Sequence, residues 1–326
     1  MIGEIMVLGG MGQGLAEFTV EQWVQGWLAE KKATTSTATH RAYQTSMRGF
    51  LKQLGDRKDR HLETITAADI RTYRDETKKD GRAARTANLR IKILRSCFAD
   101  AVKASAILQN PADGVKTLEE SDSTERVPFE IDQIPKLLDA APSDDWRGVI
   151  LVGLYAALRL GDAATLKAAN VNLEARTITL IPAKTRRKKR ALTIPMHPDL
   201  VAFFEPREVS PFPGTPLFPS LAAQSVGGKQ GLSIQFGRIM DAAGVPRMTS
   251  RKSADGAARD MNQLSFHSLR HTTASLMANA GVSAELRMKI TGHTSVSVHA
   301  SYTHLAEEAA AKAVKAMPSL RRKAAH

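Results

Sequence analysis

The sequence predicts a mainly α-helical protein with a small antiparallel β-sheet, divided into a helical N-terminal domain and a second domain of α+β type. Its 326 residues are too many for one ordinary domain and suit two. From Phe18 onward, apolar residues recur at helical spacing through most of the chain. One run of strand formers, from Thr177 to Ile181, interrupts that pattern. Hydrophobic residues make up 43% of the chain, which is enough for two buried cores.

Four helices are predicted in the N-terminal domain, and two of them begin with a capping signature. Thr19 followed by Gln22 fits a capping box at the start of the first helix. Thr66 followed by Asp69 repeats the signature at the start of the third. The second and fourth helices are predicted over residues 37–54 and 84–105.

The second domain is predicted to contain helices on both sides of the strand-forming segment. Its first helices fall at about 131–140 and 146–158, and its strands at 171–173, 177–182 and 191–195. Helical patterns resume near Asp199, over about 233–243, and from about His267 onward. The predicted division is a flexible leader 1–16, a helical domain 17–113, a linker 114–126, a second domain 127–318 and a basic tail 319–326.

The charge balance indicates a polyanionic partner. Lys and Arg number 46 against 33 Asp and Glu, a formal charge of +13, which suits a phosphate backbone, although charge alone does not exclude a merely basic soluble protein. The single cysteine, Cys97, excludes an intramolecular disulfide, and its apolar helical surroundings predict a core residue. No apolar run is long enough to cross a membrane, so we expect no membrane partner and a cytoplasmic protein of bacterial or phage origin.

The segment most informative about chemistry starts at Ser265, a predicted helix cap. His267 and Arg270 follow on one face of the helix near its N-terminus, where an imidazole beside a guanidinium suits a phosphate. His267 and His271 have the spacing of a zinc protease motif, but Ser268 replaces its glutamate, which argues against that class. The helices on either side of Gly281 also resemble a helix-turn-helix, a common pattern of low specificity. The residues alone also leave open that His267 and Arg270 are ordinary surface groups.

Residues 267–271, H-S-L-R-H, are similar to the H-x-L-R-H box of the tyrosine recombinase (phage integrase) family. Gly292-His293 and Tyr302-Thr303-His304 resemble that family's G-H and Y-T-H segments, and residues 157–162, A-L-R-L-G-D, resemble its first box. Lys184 lies at the turn between the second and third predicted strands, where the family has a lysine. The family's six active-site positions therefore match, in order, Arg159, Lys184, His267, Arg270, His293 and Tyr302.

The sequence departs from the family pattern at positions that carry no reactive group. Ala156-Ala157 stands where Thr-Gly is usual, Ala164 takes a position generally filled by Leu, and Thr291 replaces the usual Leu before Gly292. These departures put close membership of a subfamily in doubt, not the chemistry.

The resemblance implies covalent catalysis on DNA. Tyr302 would attack the scissile phosphate and form a 3′-phosphotyrosyl bond, while Arg159 and Arg270 clamp the non-bridging oxygens and His293 donates a further hydrogen bond. Because that bond retains the energy of the cleaved linkage, rejoining would need no metal, ATP or other small-molecule cofactor. The residues alone leave open that Tyr302 is a core tyrosine.

The resemblance also implies roles for the remaining polar residues. His267 would help to take the proton from Tyr302, and Lys184 would protonate the 5′-oxygen; the alternative is that Lys184 is one phosphate-binding charge among several. Asp162 would either orient Arg159 or cap a helix. The predicted DNA contacts are basic residues of the strand connection and of the N-terminal helices: Arg186, Arg187, Lys188, Lys189, Arg190, Arg41, Arg48 and Arg85.

The implied architecture is a C-shaped clamp made of a SAM-like core-binding domain and a tyrosine recombinase catalytic domain. The protein would be a monomer without DNA and a homo-tetramer on two DNA sites. Two alternatives remain at this point: a type IB topoisomerase-like enzyme that relaxes DNA, and a non-catalytic DNA-binding regulator that uses the helix-turn-helix-like pair. The regulator would need neither Lys184 nor Tyr302.

Overall fold

In a computed structural model of the chain, the described residues are 18–120, 126–207, 212–246 and 262–292. The chain divides into two compact units, with the boundary between residues 123 and 124. Helices dominate both units and one small antiparallel sheet lies in the second, so the predicted fold class is confirmed. Among the described residues, no helix has the length and apolar character needed to span a membrane.

The first unit contains four helices: α1 (Val20–Thr34), α2 (Thr37–Leu54), α3 (Ala67–Lys79) and α4 (Ala84–Lys103). Short 3₁₀ turns at Gly55–Asp59 and Leu62–Thr64 connect α2 to α3. The second helix has the predicted bounds, and the fourth ends two residues before its predicted end.

Both predicted capping boxes are present. Gln22 N donates to Thr19 Oγ1 at 3.2 Å, and Thr19 N donates to Gln22 Oε1 at 3.0 Å. Thr66 N donates to Asp69 Oδ2 at 2.9 Å, and the neighbouring Arg57 guanidinium holds the pKa of that carboxyl below its usual value. These bonds satisfy amide groups that a helix start otherwise leaves without partners.

The core of the first unit is built from aromatic and branched side chains on all four helices. Trp27, Phe50 and Phe98 are among its largest fully buried residues. Cys97 is buried in the same cluster, as predicted, and burial raises the pKa of its thiol. Trp27 keeps its polar edge satisfied, because its Nε1 donates to Asp100 Oδ2 at 2.9 Å.

The chain after α4 is tied to that helix by side-chain to main-chain hydrogen bonds. Asn88 Nδ2 donates to Leu118 O at 2.9 Å, and Leu118 N donates to Asn88 Oδ1 at 2.8 Å. Arg95 Nη2 donates to Ala112 O at 3.1 Å and to Val115 O at 3.0 Å. Much of the segment predicted as a linker therefore packs on the first unit, although it has no secondary structure of its own.

The second unit contains helices α5 (Gln133–Asp139), α6 (Asp144–Tyr155), α7 (Leu160–Ala164), α8 (Pro198–Phe204), α9 (Pro219–Ala222), α10 (Leu232–Ala242), α11 (Phe266–Asn279) and α12 (Ala284–Thr291). Its strands are β1 (Val171–Asn172), β2 (Thr177–Leu180) and β3 (Leu192–Pro195), paired antiparallel in that order. The four-residue α9 and five-residue α7 were not predicted, because helices that short show no periodicity.

The strand segment differs from the prediction at its connection. β2 stops at Leu180, two residues early, and Pro182 precedes a 3₁₀ helix at Ala183–Lys188. Proline has no N–H to donate to a strand ladder, so the pairing ends before it. The turn predicted between the second and third strands, which carries Lys184, is thus a short helix between β2 and β3.

A close contact between α6 and α11 forms the centre of the second unit. A Cβ atom on Gly153 would lie 2.5 Å from Phe266 Cζ, so only glycine allows the two helices to approach this closely. Phe129 N donates to Thr272 Oγ1 at 2.8 Å, which ties the start of the unit to α11. Together these contacts fix the position of the helix that carries His267 and Arg270.

Replacing Asn88 with alanine should destabilise the protein by about 1–3 kcal/mol, because it leaves the main-chain groups of Leu118 without their partner. Chemical denaturation of the full-length chain measures this. Arg85→Ala is the control, since its pair with Glu120 spans 3.6 Å on a side chain that is 76% exposed, and it should change stability by less than about 0.5 kcal/mol. Equal effects of the two substitutions would contradict a structural role for Asn88.

Candidate active site

Arg270 is the most deeply buried charged residue of the candidate site, with 1% of its surface exposed. Its Nη1 donates to Ala157 O at 2.7 Å, across the interface between α11 and the turn that follows α6. Ala157 has a φ of 51°, which is a left-handed backbone conformation. Glycine adopts this conformation freely, whereas any residue with a Cβ atom is strained in it. The turn thus points a carbonyl at a guanidinium just before Arg159.

Arg159 lies two residues after Ala157 and is the N-cap of α7, with extended backbone and a half-buried side chain. Its positive charge is one of the causes that lower the pKa of His267. The described structure therefore brings Arg159, His267 and Arg270 together from segments that are more than a hundred positions apart in the chain.

Asp162 has a different partner from the one predicted. Its Oδ1 accepts a hydrogen bond from Ala183 N at 2.8 Å, and the residue is 8% exposed. It is not the N-cap of α7, because Arg159 has that position, and its described hydrogen bond does not go to the guanidinium of Arg159. Asp162 instead fixes the start of the 3₁₀ helix in which Lys184 is the second residue.

The strand connection presents its basic residues to solvent. Lys184, Arg186, Lys189 and Arg190 are exposed, and Lys189 ends the 3₁₀ helix in a left-handed conformation with a φ of 47°. The side chains of Arg187 and Lys188 lie outside what the structure describes.

Burial and positive charge together favour the neutral form of the two histidines on α11. Burial and then the neighbouring His271, Arg270, Arg126 and Arg159 lower the pKa of His267 to about 3. Burial and then Arg126 and Arg270 lower the pKa of His271 to about 4. The two rings lie edge to face with centroids 5.0 Å apart. The site is thus rich in positive charge even though both imidazoles are neutral at neutral pH.

Arg126 was missed in the sequence. It is exposed, and its Nη1 donates to the Oγ of Ser265, the N-cap of α11. No motif contains Arg126, so only its position at the start of the second domain could have suggested a role. His271 was noted as part of the H-x-L-R-H box but was not assigned a function.

Two of the predicted catalytic residues, His293 and Tyr302, lie outside the described residues. Among the described residues, the geometry of the site therefore rests on Arg159, His267 and Arg270, and Asp162 fixes the main chain just before Lys184.

The predicted DNA contacts of the first unit differ in their surroundings: two are on one exposed helix face and the third is next to a carboxylate. Arg41 and Arg48 are exposed on one face of α2, together with Lys52 one turn further on. Arg41 lines a groove of ≈ 420 Å³ with Arg82 and Arg90, and Arg48 and Lys52 line another of ≈ 630 Å³. Arg85 instead pairs with Glu120 in this structure.

Sequence models of two domain families match the chain. The phage integrase family matches residues 129–309, and the phage integrase N-terminal SAM-like domain matches residues 20–105. A tyrosine recombinase XerC-like protein of Caldanaerobacter subterraneus subsp. tengcongensis is 22% identical over 338 residues, covering 95% of this chain and 85% of the relative.

Solved structures of lambda integrase share the fold. A dimer of a lambda integrase fragment bound to a COC′ core site has a TM-score of 0.66 at 18% identity, covering 87% of this chain and 95% of that one. A lambda integrase tetramer bound to a Holliday junction has a TM-score of 0.64 at 18% identity, covering 92% and 84%. Since the match at residues 129–309 spans more than half of the sequence, the chain belongs to the phage integrase family, the tyrosine recombinases that cleave and rejoin DNA at specific sites.

Proposed function

We propose that this chain recombines DNA through a covalent bond between a DNA phosphate and Tyr302. The observation that carries the proposal is the arrangement of two guanidiniums, Arg270 fixed on Ala157 O and Arg159 two residues further on, beside the imidazole of His267. Two planar guanidiniums on one phosphate match the geometry of its oxygens, and a buried one is held ready for the charge that develops there.

The reaction forms one bond and breaks another at the same phosphorus. The Tyr302 oxygen attacks, the bond from phosphorus to the 5′-oxygen breaks, and the products are a 3′-phosphotyrosyl linkage and a free 5′-hydroxyl. Arg159, Arg270 and His293 stabilise the negative charge on the non-bridging oxygens. Attack by a 5′-hydroxyl from another strand reverses the steps, so rejoining uses the energy of the linkage and needs no metal, ATP or other cofactor.

The proton from Tyr302 goes to His267. An imidazole accepts a proton only in its neutral form, and the lowered pKa of His267 keeps it neutral in the free enzyme. A phosphate bound nearby adds negative charge, which raises the proton affinity of the imidazole when it is needed.

Lys184 protonates the departing 5′-oxygen. Ala183 N donates to Asp162 Oδ1, and this hydrogen bond holds the start of the lysine's segment against α7, which begins after Arg159. This constraint on the main chain next to Lys184 supports the role of an acid, because a general phosphate-binding charge would not require it. The other basic residues of that connection, Arg186 to Arg190, bind the DNA backbone beside it.

The first unit contributes DNA contacts through α2. Arg41, Arg48 and Lys52 form an exposed basic stripe, and such a stripe binds phosphates without reading bases. Arg85 is a weaker candidate because it pairs with Glu120.

The active form is a homo-tetramer on two double-stranded DNA sites, and the free protein is a monomer. Exchange between two duplexes involves four strand cleavages, and the lambda integrase tetramer on a Holliday junction, which shares the fold, supports this assembly. The bacterial relative and the DNA substrate support a cytoplasmic location. The proposed core-binding and catalytic domains span 17–113 and 127–318, and the chain between them is held on α4 as far as Leu118 by Asn88 and Arg95.

A pool of nicked duplexes with a randomised centre tests the covalent step, because a nick next to the cleavage site lets the leaving strand diffuse away. We expect a protein–DNA adduct that survives denaturation, and Tyr302→Phe should abolish it. Tyr155→Phe is the matched control: that tyrosine bonds Asp199 and stacks on His197, and its substitution should leave the adduct.

Absence of any adduct across the pool, while the protein still binds duplex DNA, would favour a non-catalytic regulator. An adduct together with relaxation of supercoiled DNA and no strand exchange between two duplexes would favour the topoisomerase-like alternative.

Asp162→Ala should slow adduct formation by about tenfold, because it removes the hydrogen bond from Ala183 N and a tenfold change in rate corresponds to about one such bond. The affinity for DNA should change little. The rate of adduct formation at saturating protein measures this. Asp162→Asn retains an oxygen that can accept from Ala183 N, so it should keep most of the rate. If the asparagine variant is as slow as the alanine variant, the carboxylate charge and not this hydrogen bond is what matters.

Acid should destabilise the second unit through its histidines. The pKa of each histidine is lower in the folded protein than the usual 6.5, so the unfolded state binds protons that the folded state does not. The free energy of unfolding therefore falls as the pH drops below about 6.5. The fall continues to about pH 4 for His271 and to about pH 3 for His267. In His267→Gln/His271→Gln, chemical denaturation at pH 7, 6 and 5 should show a smaller loss. His61→Gln, at an exposed position of the first unit, is the control. An unchanged pH dependence in the double variant would contradict the neutral assignment.

A further inference from the structure

Arg126 places an additional guanidinium at the start of α11. Its hydrogen bond to Ser265 Oγ links the beginning of the second unit to the cap of the helix that carries His267 and Arg270. The residue is exposed and lies three positions before the match to the phage integrase family begins.

The charge of Arg126 acts on both histidines of the site. It is among the causes that lower the pKa of His267, and it is the largest cause after burial for His271. A Coulomb interaction falls with distance, so this effect agrees with a guanidinium held at Ser265, the cap of the helix that carries both rings.

The hydrogen bond to Ser265 uses only one of the donor groups of Arg126. A guanidinium has five N–H donors, and the described bond occupies Nη1 alone. Among the described residues, no carboxylate forms an ion pair with Arg126. An exposed guanidinium that is oriented by a neutral hydroxyl keeps its charge and its other donors available for an anion.

We propose that Arg126 binds a DNA backbone phosphate next to the scissile one during strand transfer. Ser265 and Arg270 are five residues apart, about 7.5 Å along a helix axis, so the two guanidiniums can reach neighbouring phosphates of one strand. The neutral Ser265 hydroxyl orients the guanidinium and leaves its remaining donors for the phosphate. The inference rests on the proposed function of the site.

The number of phosphate contacts can be measured from the salt dependence of DNA binding. Each contact with duplex DNA contributes about 0.9 to the slope of log affinity against log salt. The probe is a labelled duplex of mixed sequence, and Tyr302→Phe is the parent protein, so that no cleavage interferes. Adding Arg126→Ala should lower the slope by about 0.9, and Arg126→Lys should restore most of it because the charge returns.

Arg207→Ala is the matched control, since its guanidinium already pairs with Asp144 at 3.0 Å in the same unit. It should leave the slope unchanged. Equal slopes for the parent and Arg126→Ala would overturn the proposal and leave Arg126 with only a capping role. A parent that fails to bind the duplex at all would instead overturn the proposed function, and this inference with it.

A second measurement tests the placement of the side chain without DNA. Removing a nearby cation favours protonation, so Arg126→Ala should raise the pKa of His267 and His271 in an NMR titration, and Arg207→Ala should not. Unchanged histidine titrations in Arg126→Ala would overturn the proposed position of the guanidinium.

Discussion

The hydrogen bond from buried Arg270 to the carbonyl of Ala157 joins the two parts of the candidate site. A guanidinium is costly to bury unless its donors have partners, so this bond restricts where α11 can lie against the turn after α6. The same turn leads directly to Arg159. The position of both arginines thus depends on Ala157, whose left-handed backbone conformation is strained.

Much of the fold could be predicted because it follows from local patterns. The capping pairs Thr19 with Gln22 and Thr66 with Asp69 mark helix starts within four residues, and the strand formers after Arg176 mark the sheet. The motif residues on α11 also share a local helix face. The short α7 could not be predicted, since a single turn of helix leaves no periodic signal.

The contacts that complete the site could not be predicted, because one partner in each is a main-chain or neutral group. Asp162 accepts from the amide of Ala183, and Arg126 donates to Ser265, 139 positions away. An amide is present at almost every residue, so sequence gives no indication of which one a carboxylate will meet. Such bonds connect segments that motifs identify only separately.

Asn88 and Arg95 form hydrogen bonds with the chain after α4, so the first unit extends further along the chain than its composition indicates. Composition places the break near Gly114, yet Leu118 still exchanges two bonds with a helix of the first unit. Chimeras that exchange DNA-binding domains between relatives should therefore join beyond residue 120. A junction at Gly114 would combine α4 of one parent with the following segment of another. The buried side-chain amide of Asn88 would then lose its match to the main chain at Leu118.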